Sequence, residues 1–233
     1  MTGGEASLGG HVFFYGDERL EGILEPPGVV PPPGEEERQV LGGVVVAHPH
    51  PLYGGTMAQP LVYRMAKACC MRGMTTLRFN FRGVGKSRGR YGGIDEHRDV
   101  EAATAFLHGQ LEPGVPVGLA GYSFGSVMAA MAATGPTAVE ALALVALVAA
   151  WDEMPDGALE GLRAFKGPVL AVCGELDDLA PPELVKAVLS DLNLDFTLRV
   201  IPEAGHFFEG QQDEVSDQVA AFFEHAFRSA RAL

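Results

Sequence analysis

The 233-residue sequence predicts a single α/β domain: a mostly parallel sheet of about eight strands, opened by an antiparallel hairpin and covered by helices on both faces. Three observations carry this. Short runs rich in Val, Ile, Leu and Phe alternate with stretches of helical period, the pattern of a parallel sheet joined by helical crossovers. The first two apolar runs are separated only by turn residues. At this length, with 47% apolar residues, the chain has material for one large core.

The elements follow in order. HVFFY (11–15) and LEGILE (20–25) flank Gly16-Asp17 and read as the hairpin. EPPGVVPPPGEEER (25–38) is Pro-rich and then acidic, a solvated connector. GGVVVAH (42–48) is the third strand. Ala58, Leu61, Val62, Met65, Ala66 and Cys69 then share one face of a helix that Gly73 ends. TTLRFNF (75–81) is a strand, and Val100, Ala103, Leu107 and Leu111 mark a second helix, with Asp95 as its expected cap. VPVGLAG (115–121) is a buried strand, followed by a helix of small residues over 124–134. VEALALVALVA, GPVLAVCG and DFTLRVI supply three more strands. A helix lies between the last two, with Val185, Val188, Leu189 and Leu192 facing inward. Val215, Val219, Phe222, Phe223 and Ala226 give the C-terminal helix its apolar face.

Composition excludes several function classes. A net charge of −13 argues against nucleic acid or an anionic membrane surface as partner, since both need clustered Lys and Arg. No apolar run reaches 18 residues, and MTGGEASLGG has neither the basic nor the apolar region of a signal peptide, so a cytoplasmic protein is expected. Three cysteines, two of them adjacent (Cys69, Cys70), form no disulfide framework. His48 and His50 sit at i, i+2, but two histidines make only half a tetrahedral metal site; no metal is expected.

In such sheets the chemistry sits at the C-terminal strand ends. The decisive loop there is GYSFG (121–125), a G-x-S-x-G between a strand and a helix. That turn is so sharp that small residues must flank the serine, which exposes its hydroxyl at a helix N-terminus. A serine hydroxyl becomes a useful nucleophile only when a base takes its proton and a carboxylate orients the base. CGELDDLAP after the seventh strand offers Glu175, Asp177 and Asp178, and IPEAGHFFEG after the eighth offers His206. FRGVGKS (81–87) lacks the full spacing of a phosphate-cradling loop and reads instead as the floor that cross-links neighbouring loops. His11, His97, His108 and His225 receive no role.

Taken in order, these loops resemble those of the α/β-hydrolase superfamily from the first strand to the last helix. With HPHPLYGG and RGVGKSRG, the chain is most similar to small bacterial serine hydrolases near the dienelactone-hydrolase-like and short-chain esterase branches. The resemblance implies a site. The acid loop G-x-x-D-x-x-x-P is matched by Gly174, Asp177 and Pro181, which makes Asp177 the triad acid and leaves Asp178 facing solvent. The histidine loop is matched by EAGHFF, which makes His206 the general base for Ser123. Two backbone amides should hold the oxyanion: that of Phe124, after the nucleophile, and one from the loop after the third strand. There His48 aligns with the family's histidine, so His50 supplies the second amide, with Leu52 next if the loop is shifted; Pro49 and Pro51 have no N–H. Tyr53, Leu52, Trp151 and Phe207 are expected at the substrate rim.

The resemblance further implies a cofactor-free hydrolase of small or short-chain carboxylic esters. Dienelactone hydrolases use cysteine where this chain has Ser123. WDEMPDGALEGLRAFK (151–166) is too short to build the helical cap of many relatives, so an open site is expected. The partner is a small-molecule ester. A thioesterase or acyltransferase on the same triad, and a non-catalytic binding module, are the alternatives.

Overall fold

A computed structural model of the protein describes residues 10–28, 40–149, 154 and 156–231. Eight strands form one sheet in the order β1-β2-β4-β3-β5-β6-β7-β8. The hairpin β1 (Gly10–Tyr15) and β2 (Arg19–Glu25) is antiparallel, and β2 joins β4 (Met74–Asn80) antiparallel. From there β3 (Gly42–Ala47), β5 (Val117–Tyr122), β6 (Ala141–Val145), β7 (Val169–Gly174) and β8 (Phe196–Ile201) run parallel. Strand order reverses at β3, which lies between β4 and β5, and a crevice opens at such a point beyond the C-terminal strand ends.

Two neighbouring glycines show that helices cover both faces. A Cβ on Gly42 would strike Phe227, and one on Gly43 would strike Leu111 and Leu107. Successive strand positions point to opposite faces. One face is therefore covered by α5 (Gln212–Ala230) and the other by α2 (His97–His108). α1 (Pro60–Met71) packs on α5, and α3 (Phe124–Ala132) on α2; α4 (Pro182–Asp191) lies against β7 and β8. The core is continuous across these layers, and β3 to β7 are buried along their whole length. Such runs, buried on both faces, read as unbroken apolar sequence.

The boundaries depart from expectation in several places: α2 ends at His108, so Leu111 lies beyond it, and α3 ends at Ala132 rather than at 134. Helix α1 begins at Pro60 behind Gln59, whose side chain accepts the Leu61 N–H; Ala58 is exposed and outside it. Asp95 does not cap α2. It sits exposed one residue too early, and Glu96 takes the cap position while turning its carboxylate back to the Gly92 N–H at 2.7 Å. β6 stops at Val145 because Ala146 turns into the left-handed region, φ 48°. Most of the Pro-rich connector, and Trp151, lie outside the described residues. No described helix is long and apolar enough to cross a membrane.

Candidate active site

Three loops at the C-terminal edge of the sheet bring Ser123, His206 and Asp177 together. Between β5 and α3 the chain reverses with Ser123 at φ 56°, ψ −119°, a strained conformation for a residue with a side chain. The sequence permits this because Gly121 and Gly125 flank the turn. A Cβ on Gly121 would run into the backbone of Gly125 and Ser126, and one on Gly125 into the carbonyls of Ala47 and His48. The elbow is then pinned by its own hydrogen bonds: Ser123 N–H donates to Val145 C=O at 2.8 Å, and the buried Ser126 hydroxyl donates to Ser123 C=O at 2.6 Å.

His206 Nε2 lies 2.9 Å from Ser123 Oγ, and its Nδ1 lies 2.9 and 3.0 Å from the two oxygens of Asp177. An ionised carboxylate can only accept, so Nδ1 carries the proton and Nε2 is left to accept from the serine hydroxyl. Asp177 is 3% exposed. Burial raises its pKa, but the bond from His206 and the N–H groups of Ala180 (2.8 Å) and Leu179 (2.9 Å) outweigh that and hold the carboxyl below its ordinary range. Asp178 is exposed, and Glu175 turns away to accept the Glu203 N–H. Of the three acids in this loop, the structure aims Asp177 alone at the histidine.

The loop after β3 is built around His48. Its ring is fully buried, donates from Nδ1 to Pro49 C=O at 2.6 Å and accepts the Phe81 N–H at Nε2 at 3.1 Å. Burial drives its pKa down to about 4, so the ring is neutral. His50 caps the short 3-10 turn Pro51–Tyr53: its Nδ1 accepts the Leu52 N–H at 3.2 Å, and its Nε2 meets the Tyr91 hydroxyl at 2.9 Å. The His50 ring also lies 5.0 Å from that of Phe124. Both histidines spend their ring nitrogens on protein partners. The Leu52 amide is likewise engaged, by the His50 ring.

FRGVGKS ties this region together. Arg82 forks onto Asp99 at 2.7–3.1 Å, the Ser87 hydroxyl donates to Asn80 C=O, and Phe81 N–H meets His48. Asn80 and Arg78 hold both backbone groups of Met57, where the β3 loop ends. Leu52, Tyr53 and Phe207, expected at the substrate rim, are 67, 88 and 60% exposed, so among the described residues they are surface side chains rather than the lining of an enclosed pocket. Leu176 and Leu179 of the acid loop are similarly exposed. A cavity of about 390 Å³ beside Met154, Leu159 and Val188 involves none of these residues.

Sequence reasoning missed Tyr122, Tyr91 and Asn80. The first occupies one of the two free positions of the G-x-S-x-G pattern, which the pattern leaves unspecified; the other two act through contacts distant in sequence.

Comparison with known proteins agrees with this architecture. The profile of a family described as "Alpha/beta hydrolase domain" matches residues 43–232. An α/β serine hydrolase homologue from Coxiella burnetii is 30% identical, with a TM-score of 0.80 over 93% of this chain and 98% of its own. A serine hydrolase without a lid from Xanthomonas campestris is 25% identical, with a TM-score of 0.76 over 96 and 95%. An uncharacterized protein of Rickettsia prowazekii is 44% identical over 87 residues; those residues are 36% of either protein, so the match spans about a third of that curated relative.

Proposed function

The chain belongs to the alpha/beta hydrolase family, and on that premise we propose that it is a serine hydrolase cleaving small or short-chain carboxylic esters through an acyl-enzyme on Ser123. The observation that carries this is the unbroken relay from Ser123 Oγ to His206 to Asp177, each link about 2.9 Å.

The chemistry follows from the arrangement. Ser123 Oγ attacks the acyl carbonyl while His206 Nε2 takes its proton, and Asp177 keeps the imidazole in the required tautomer and offsets its new charge. The backbone amides of Phe124 and His50 stabilise the oxyanion. Their loops adjoin, since the chain at His48 presses on Gly125 in the first turn of α3. His206 then protonates the leaving alcohol, and water repeats the sequence on the acyl-enzyme. No cofactor enters any step.

The open site supports small, soluble esters. Between β6 and β7 the described residues form one short 3-10 turn, Glu160–Ala164, and no enclosing helices. The apolar rim of Leu52, Tyr53 and Phe207 suits an acyl or alcohol group held against the surface. Intact-mass analysis after treatment with a fluorophosphonate tests the reading. A single adduct on wild type, absent from Ser123→Ala and His206→Ala and slowed in Asp177→Asn, is the expected result. No adduct on folded wild type would overturn it in favour of a binding module. Turnover of matched thioesters and oxyesters then separates a thioesterase from an esterase.

A further inference from the structure

The residue before the nucleophile reaches across the site to the base. Tyr122 is the last residue of β5 and 1% exposed, and its hydroxyl donates to the backbone carbonyl of His206 at 2.9 Å. Its ring lies 5.9 Å from the His206 ring at 32°, and 6.4 Å from that of Phe208 on the same loop. Burial and the nearby charge of Asp177 push its phenol well above the ordinary tyrosine range, so it stays protonated and can only be the donor to a carbonyl.

The loop around His206 is held elsewhere by other bonds. Leu176 N–H donates to Ala204 C=O at 2.8 Å, and the Gln212 side chain to Phe207 C=O at 3.1 Å. Neither bond reaches His206 itself. His206 is thus fixed at three points: Nδ1 by Asp177, Nε2 by Ser123 and its carbonyl by Tyr122. Two of those points, Ser123 and the Tyr122 side chain, rise from adjacent residues of one strained elbow. The elbow that aims the nucleophile therefore also carries a strut to the base. The strut and the Ser123–His206 bond close a ring that relates the two reacting atoms without reference to the rest of the sheet.

We propose that Tyr122 is a positioning residue, which through its hydroxyl bond to the His206 backbone sets Nε2 at proton-transfer distance from Ser123 Oγ. The inference rests on the serine-hydrolase reading and deepens it. Losing this restraint lets the imidazole drift, and a misplacement of about 1 Å at a reacting group costs about 100-fold in rate.

The test is Tyr122→Phe, which keeps the ring and its packing and removes one oxygen. Hydrolysis of p-nitrophenyl acetate should show kcat reduced about 10- to 100-fold with KM within twofold, and phosphonylation should slow in parallel. The decisive arm is a cycle with His206→Ala. If Tyr122 acts through His206, the double variant is no slower than His206→Ala alone, whereas a loss of general packing would slow both backgrounds equally. Equal slowing, or a Tyr122→Phe rate within twofold of wild type, overturns the proposal while leaving the serine-hydrolase reading intact. Wild type that takes up no phosphonate overturns that reading itself and the proposal with it. Should Tyr122→Phe fold poorly, 4-aminophenylalanine and 4-methylphenylalanine at position 122 keep and remove the donor at similar bulk. A kcat at least about tenfold lower in the second than in the first supports the proposal, and equal kcat values overturn it.

Discussion

His48 and His206 stand in loops at the same edge of one sheet, and their surroundings make them different chemical objects. His206 lies between two side chains, a hydroxyl that can give a proton and a carboxylate that can steady the charge this creates. His48 lies between two backbone groups, a carbonyl and an amide, neither of which exchanges a proton in any useful range. One ring is placed where a proton could pass to it from a hydroxyl; the other is buried so that it stays neutral down to a pH of about 4. The residue type is the same, and partner chemistry separates the proposed general base from the brace. Breaking each histidine's contacts should therefore produce different kinds of damage.

The largest effect belongs to the reacting side. Ser123→Ala or His206→Ala should lower kcat for an activated ester by about 10⁶-fold, with melting temperature nearly unchanged. Asp177→Asn should lower it by about 10⁴-fold, because an amide can no longer enforce the tautomer with Nε2 free to accept. Steady-state hydrolysis of p-nitrophenyl acetate beside thermal unfolding checks both. A loss under tenfold in Ser123→Ala would erase the distinction between the two histidines.

The next effect isolates a single N–H in the brace loop. His50 has φ −53° and ψ 124°, values that a proline can adopt before another proline. His50→Ala removes the ring and keeps the amide; His50→Pro removes both. The ratio of their kcat values should be about 10²–10³ if this amide holds the oxyanion. Equal rates would move the donor elsewhere in the loop.

His48 should appear in stability and its pH dependence more than in rate. Its folded pKa, about 4, lies below the ordinary 6.5. Between those values the unfolded chain binds a proton that the folded protein refuses, so stability falls as pH drops from about 6.5 to 4 and then levels. The interval corresponds to on the order of 3 kcal/mol. Asp177, held below 3.8, adds its own loss only at still lower pH. Glu96 and Asp99, raised mainly by burial, contribute with the opposite sign, so the informative quantity is the difference between wild type and His48→Asn. Denaturant melts at pH 7.5 and 4.5 should show that difference shrinking toward acid. A constant difference would mean the ring is not held neutral by the fold.

Much of this was legible in sequence wherever the signal was local. Ser123 announces itself because the elbow needs Gly121 and Gly125 at fixed spacing, and the structure shows backbone atoms where their Cβ atoms would sit. Asp177 was separated from Glu175 and Asp178 by the resemblance, whose acid-loop pattern Gly174 and Pro181 match, and the structure has Asp177 buried against His206 and Asp178 exposed. The alternation of apolar runs located all eight strands. What escaped were decisions made by particular side-chain partners, near or far. Asp95 lost the cap of α2 because Glu96, one residue on, is drawn inward to Gly92. Tyr122 reads as one more buried strand residue until His206, 84 positions away, folds over it. The Leu52 amide, the alternative oxyanion donor in the sequence, is bonded to the His50 ring two residues back, which no spacing rule encodes.

The smallest effect concerns the rim, where neither histidine acts. Tyr53 and Phe207 stand on opposite sides of the contrast: Tyr53 packs on His50 in the brace loop at 4.8 Å, and Phe207 sits edge-on to His206 at 5.5 Å. Both are mostly exposed, so a substrate covers only part of either ring. Covering about 50 Å² of apolar surface is worth roughly 1 kcal/mol, or about fivefold in KM. Tyr53→Ser and Phe207→Ser should each raise KM for a butyrate ester by about that factor. For an acetate ester, with less apolar surface to cover, the change should be smaller. If Phe207→Ser instead lowers kcat with KM unchanged, the ring belongs to the support of His206 and not to the substrate's path.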